Sequence, residues 1–152
     1  MTNTFNINLN NLAVQNGTFY VAVFGCQMNV YDGDRIRDLM QASGYTEVSE
    51  PNLANIIIFV TCAVRAKAEN RVFKQIETWR QQKIITENTV IALGGCVGSE
   101  LGQKILALND HVHIVFGPRT VHKLPSLLSR YLADHERIVD VEADSLDKFD
   151  AL

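Results

Sequence analysis

Short β-rich runs alternate with longer amphipathic ones along this chain. The stretch 18–24, TFYVAVF, predicts a strand by its apolar and β-branched content. After it, Ile36, Leu39 and Met40 recur at helical spacing, which predicts a helix from about Tyr31 to Ser43. Gly44 is a natural stop for that helix. A short strand follows at 45–48, and Pro51 to Ala54 leaves room for one helical turn at most. The run 55–60, NIIIFV, is nearly continuous in apolar residues, as in a strand covered on both faces. A long helix is predicted over 63–83, with Val72, Ile76 and Trp79 along one side, Trp79 as a core residue. A buried strand at 89–93 leads to a helix over 99–108 that Ser99 can cap. A fifth strand at 113–116 is closed by Gly117 and Pro118. The last helix spans 121–133, with Pro125 tolerated in its first turn. RIVDV, 137–141, reads as an edge strand.

This alternation predicts an α/β fold, doubly wound, with a mainly parallel five-stranded sheet in the order 2-1-3-4-5 and helices on both faces. The crossover from Val48 to Asn55 is too short for a regular helix, which makes it the unusual step in that topology.

Composition narrows the class. The chain has 152 residues, 47% of them hydrophobic, enough for the core of one domain. No apolar run approaches the ~20 residues of a membrane span. The Asn-rich start, residues 1–17, lacks the pattern of a signal peptide and is expected to be a flexible leader. Residues 18–133 form the expected domain. From Asp134 onward, seven acids face two bases, and 134–152 reads as an acidic linker. The net charge of −3 argues against a dedicated nucleic-acid binder. A cytoplasmic protein is the expectation, with no membrane partner; nothing in the sequence sets its oligomeric state.

The chemistry lies in the cysteines. There are three, an odd number that cannot all pair within one chain. Cys26, Cys62 and Cys96 each follow a predicted strand, the first, third and fourth. A parallel sheet puts all its C-terminal strand ends on one edge, and these three strands are neighbours in the order above. Adjacent strands lie ~4.8 Å apart, so the three thiols fall within reach of one inorganic cofactor. The same edge is where open α/β sheets bind ligands. Gly25, Gly94 and Gly95 are expected to let backbone approach a bulky ligand. The helices expected after each cysteine favour thiolate, the metal-binding form. The bland alternative is that each thiol simply packs, as most lone cysteines do; three at matching joints weaken it. Structural zinc normally takes four ligands, often from close CxxC pairs, and no such pair exists here. A 4Fe–4S cluster on three thiolates leaves one iron open. His111 and His113 flank a strand start at the opposite edge and are not drafted as a fourth ligand.

GCQMN (25–29), TCAVR (61–65), GGC (94–96) and VFGPRTVHKLP (115–125) together resemble the N-terminal domain of the radical-SAM methylthiotransferases. The resemblance covers about residues 19–150. QMN after the first cysteine is most similar to the branch that makes 2-methylthio-isopentenyladenosine beside the tRNA anticodon. It implies that Cys26, Cys62 and Cys96 hold an auxiliary 4Fe–4S cluster, which delivers sulfur to the adenine. It also implies a second 4Fe–4S cluster and S-adenosylmethionine in a central domain. The CxxxCxxC motif of that domain does not occur in this chain, so the expectation is one domain of a larger enzyme, not competent by itself, with tRNA as partner of the whole. A sister enzyme acting on a ribosomal protein or another tRNA adenosine is the nearest alternative. Two positions depart from the family pattern: Val60 stands where Asn is usual, and Asn55 where Asp is usual.

Other residues are weighed beside these. Asn29 and Asp32 are expected to cap the first helix, and Asn29 is also a candidate ligand contact. Tyr31 and Gln27 are candidates by position only. Arg65 is a candidate to balance an anionic cluster or to bind substrate phosphate; a plain surface arginine is the alternative, and cluster retention after charge reversal separates the two. Lys67, Arg71 and Lys74 share a helical face that suits either phosphates or solvent. A non-enzymatic doubly wound module is the rival of a different class. GCQMNVYDGD is poor in the hydroxyls of a flavodoxin-like phosphate loop, and Asn55 with Val60 does not supply a receiver's acidic cluster. A zinc-binding scaffold is the third reading.

Overall fold

The computed structural model describes residues 17–24, 27–63, 66–96 and 99–141; for 27–31, 62–63, 66–70, 96 and 99–101 it describes the backbone alone. Its strands are β1 (Thr18–Val23), β2 (Thr46–Glu47), β3 (Ile56–Ala63), β4 (Val90–Cys96), β5 (Ile114–Phe116) and β6 (Ile138–Asp140). Its helices are α1 (Gln27–Ala42), α2 (Ala66–Gln81), α3 (Ser99–Leu108) and α4 (Leu124–Asp134). All pairings are parallel, in the order β2-β1-β3-β4-β5-β6.

The continuous apolar run in β3 has a direct cause. Ile56, Ile58 and Val60 enter one core cluster, while Ile57 and Phe59 enter another. The first cluster lies under α1 and α4, through Ile36, Met40, Leu124, Leu127 and Leu128. The second lies under α2 and α3, through Val72, Ile76, Ile105 and Leu106. A strand covered on both sides has no face to leave polar. Trp79 packs beside the second cluster and against Phe59, ring centroids 5.7 Å apart.

The predicted order holds for the five strands named, and the edge strand expected at 137–141 joins the sheet as a sixth. β6 pairs with β5 from Ile114↔Ile138 to Phe116↔Asp140, so the sheet takes residues 138–140 out of the acidic stretch. Ile138 is buried at the far edge, which gives this short strand its hold. β2 is only two residues long. It is anchored from the side by Arg37 of α1, whose Nε donates to Glu47 Oε2 at 2.7 Å. The short crossover from β2 to β3 is a single 3-10 turn, Pro51–Leu53, passing below β1. Thr18 N–H donates to Asn55 Oδ1 (3.0 Å) and the Thr18 hydroxyl to Leu53 O (2.9 Å), which pins the turn without a helix.

Helix boundaries correct three expectations. α1 begins at Gln27, so Asn29 and Asp32 lie inside it and are not its caps. Gly44, with φ 95°, ends the C-terminal turn as predicted. β3 runs on through Ala63 and α2 starts only at Ala66, so Cys62 belongs to a strand and not to a helix N-terminus. Likewise Cys96 is the last residue of β4, before α3 begins at Ser99. Pro125 occupies the first turn of α4, where its missing N–H has no partner to lose.

Candidate metal centre

Register places the candidate residues. Val23, Val60, Gly94 and Phe116 lie in one row across β1, β3, β4 and β5. Phe24 N–H continues the ladder with a 2.7 Å bond to Val60 O. Cys62 stands two residues beyond that row and Cys96 also two, on adjacent strands at the C-terminal edge. Cys26 is three beyond Val23 in sequence and, with Gly25, lies outside the described residues. The side chains of Cys62 and Cys96 lie outside them too. Among the described residues no group of three His, Cys, Asp or Glu is arranged to hold a metal.

The ladder between β3 and β4 changes register at this point. Val60 pairs with Gly94, but Ala63 pairs with Cys96. Thr61 and Cys62 together therefore oppose Gly95, a bulge of one extra residue. Bulges of this kind bend the strand and re-aim its side chains, and they concentrate beside functional sites. The sequence carried no sign of it, because the apolar run stops at Val60 and the pattern from 63 on predicts a helix.

Two neighbours of the cysteines have roles the sequence did not suggest. Gly94 does not leave room for a ligand: a Cβ there would meet Phe116 Cζ at 2.3 Å, so the space is filled by a core ring. Thr61 is 5% exposed, and its hydroxyl has no hydrogen-bond partner among the described residues. The two departures from the family pattern are also placed. Val60 is buried in the core of the first cluster. Asn55 Oδ1 serves as an acceptor for Thr18 N–H at the opposite edge, a role a carboxylate oxygen fills equally.

Around the edge, cations and aromatic rings gather. The Arg71 guanidinium lies 5.5 Å from the centroid of the Phe24 ring, a cation–π contact two residues before Cys26. Lys74 is exposed on the same helix, and the Lys67 side chain lies outside the described residues. Arg65 lies outside them altogether, as does the Asn29 side chain, although Asn29 belongs to α1. Sequence reasoning passed over Arg119, although it sits in a quoted motif. It is exposed in the turn just past Phe116, without a hydrogen bond or ion pair among the described residues. That turn is held by buried Thr120, whose Oγ1 accepts from Gly117 N–H at 3.0 Å and donates to Asp140 O.

The histidines behave differently. His113 precedes β5, at the N-terminal edge, and its Nδ1 accepts from Ile91 N–H at 3.0 Å. Burial, then the charges of Arg137 and His111, hold its pKa down at about 4, so the ring is neutral at physiological pH. Its ring also packs against Tyr131, tilted by 41° with centroids 4.9 Å apart. These are the contacts of a structural histidine.

Comparison with known proteins sharpens this picture. The model of the uncharacterized protein family UPF0004 matches residues 18–117. A protein of Methylococcus capsulatus named tRNA-2-methylthio-N(6)-dimethylallyladenosine synthase is 41% identical over 134 residues, 88% of this chain and 29% of that protein. One of Alkalilimnicola ehrlichii with the same name is 43% identical over 138 residues, 90% of this chain and 30% of its own length. One of Bordetella parapertussis, also so named, is 41% identical over 137 residues. The chain thus spans about 30% of the length of these curated relatives.

Proposed function

We propose, since the chain belongs to the uncharacterized protein family UPF0004, that it is the auxiliary 4Fe–4S domain at the N-terminal end of a tRNA methylthiotransferase. The whole enzyme adds a methylthio group to isopentenyladenosine beside the anticodon, and the names of the relatives support that substrate over a ribosomal protein. The carrying observation is the shared register row of β1, β3 and β4, with a cysteine two or three residues past each strand's place in it. Cys26, Cys62 and Cys96 would hold the cluster by thiolate.

The donor set fits such a group. Thiolates suit iron–sulfur chemistry, the edge is the one where open sheets take ligands, and a buried hydroxyl beside Cys62 has no partner among the described residues. When bound, the cluster supplies the sulfur that reaches the adenine. S-adenosylmethionine and a second 4Fe–4S cluster belong to the central domain of the larger enzyme. This chain's residues hold and shield the auxiliary cluster and present cations to RNA, with Asn29 and Arg65 as further candidates. No helix among the described residues is long and apolar enough to cross a membrane, which is in keeping with a cytoplasmic enzyme.

Anaerobic reconstitution with iron and sulfide tests the reading. About four irons and four sulfides per chain are expected, with a Mössbauer signature of a 4Fe–4S cluster. Replacing Cys26, Cys62 or Cys96 by alanine should abolish stable uptake. Stoichiometric zinc without iron uptake would mean a zinc scaffold instead.

A further inference from the structure

Thr61 Oγ1 is the single buried side-chain N or O atom among the described residues that lacks a hydrogen-bond partner. A hydroxyl stranded in this way costs about 1–3 kcal/mol, a cost that valine, of nearly the same shape, would avoid. Buried polar groups in native proteins are almost always satisfied, and an exception asks for a cause.

Its position suggests the cause. Thr61 immediately precedes Cys62 and lies within the bulge, where two residues of β3 oppose Gly95 of β4. The backbone there departs from the plain ladder, and the side chain is shut away from water. A hydroxyl in such a place can act as a donor once an acceptor arrives with a ligand. The acceptors an iron–sulfur centre brings to this edge are sulfurs, either the cysteine thiolates or inorganic sulfides.

We propose that Thr61 Oγ1–H donates a hydrogen bond to a sulfur of the cluster bound at this edge, and so sets its potential and its retention. The inference rests on the cluster reading above. A donor to sulfur draws negative charge off the centre, and this favours the reduced form. Thr61 is thus a positioning and tuning residue, with no ligand bond of its own.

The test compares the intact protein with its Thr61→Val and Thr61→Ser variants, each reconstituted anaerobically. In Thr61→Val the midpoint potential should move to more negative values, the Fe–S stretching bands should shift, and loss of iron to a chelator should be roughly tenfold faster. Thr61→Ser, which keeps the hydroxyl, should restore all three. Before reconstitution, Thr61→Val should melt at the wild-type temperature or higher, because an unpartnered polar atom has been removed. A Thr61→Val protein that takes up no iron, beside a normal Thr61→Ser, would equally support the role of the hydroxyl. Wild-type potential, bands and iron retention in Thr61→Val would overturn the inference while leaving the cluster reading intact. Iron uptake failing in the wild type itself would sink both.

Discussion

The two edges of the sheet are built on different terms. At the N-terminal edge, polar groups find partners within the fold. Thr18 and Asn55 clamp the β2–β3 crossover, and His113 accepts from Ile91 N–H. Arg137 Nε donates to Val112 O at 2.9 Å and its Nη2 to Leu106 O at 2.7 Å, closing the C-terminal end of α3. Along β1, β3 and β4 the C-terminal edge is otherwise. Thr61 is buried without a partner among the described residues, and the Arg71 guanidinium rests over Phe24. Only towards β6 does that edge close again, through Thr120 and the Lys123–Asp140 ion pair at 3.3 Å. One edge holds the fold together. The stretch of the other beside Cys62 and Cys96 holds, among the described residues, a buried hydroxyl with no partner.

The sharpest stability probe of the C-terminal edge is Gly94→Ala. Its Cβ would strike the Phe116 ring, and the overpacking should cost about 1–3 kcal/mol in chemical denaturation. Adding Phe116→Leu should recover part of that loss. Strict additivity of the two changes would mean that the ring is not what forbids a side chain there.

The N-terminal edge should answer to pH through His113. Its folded pKa, about 4, lies below the ordinary 6.5. Between those values the unfolded chain binds a proton that the folded chain refuses. Stability therefore falls as pH drops from 6.5 towards 4 and is fully present above 6.5. The effect should be roughly 1–2 kcal/mol, less than an unscreened ring would give, because the imidazole is partly exposed. Urea midpoints of the wild type and His113→Gln across this window read it directly. Parallel curves for the two proteins would refute the assignment.

The smallest effect concerns the cations of the C-terminal edge. If that edge faces RNA, Arg71→Gln and Arg119→Gln in the intact enzyme should each lower the slope of log affinity against log salt by roughly 0.7 for an anticodon stem-loop. An unchanged slope in both variants would leave them as ordinary surface arginines.

Much of this was legible in the residues. The apolar run of 55–60 announced a strand buried on both faces, and β3 feeds both core clusters in alternation. The place of Cys62 and Cys96 at the C-terminal edge was legible from where the apolar runs finish, although both strands run on far enough to include the cysteine. The start of α1 was not. Its first turn, QMNV, has no strong cap, and Asn29 looked like one only because the apolar spacing begins later. Gly94 was misread for a related reason: a glycine at a strand end looks the same whether a ligand or a distant phenylalanine requires it.

Sequence alone determined the alternation of strands and helices, the parallel sheet it implies, the edge strand at its end, and the place of Cys62 and Cys96 near the C-terminal ends of neighbouring strands. Those features rest on local periodicity, which every residue carries with it. Tertiary structure decided the slip of register between Val60 and Ala63, the ring against Gly94 and, among the described residues, the solitude of the Thr61 hydroxyl. Each of these depends on what lies across from a residue on another strand, and no spacing along the chain encodes that.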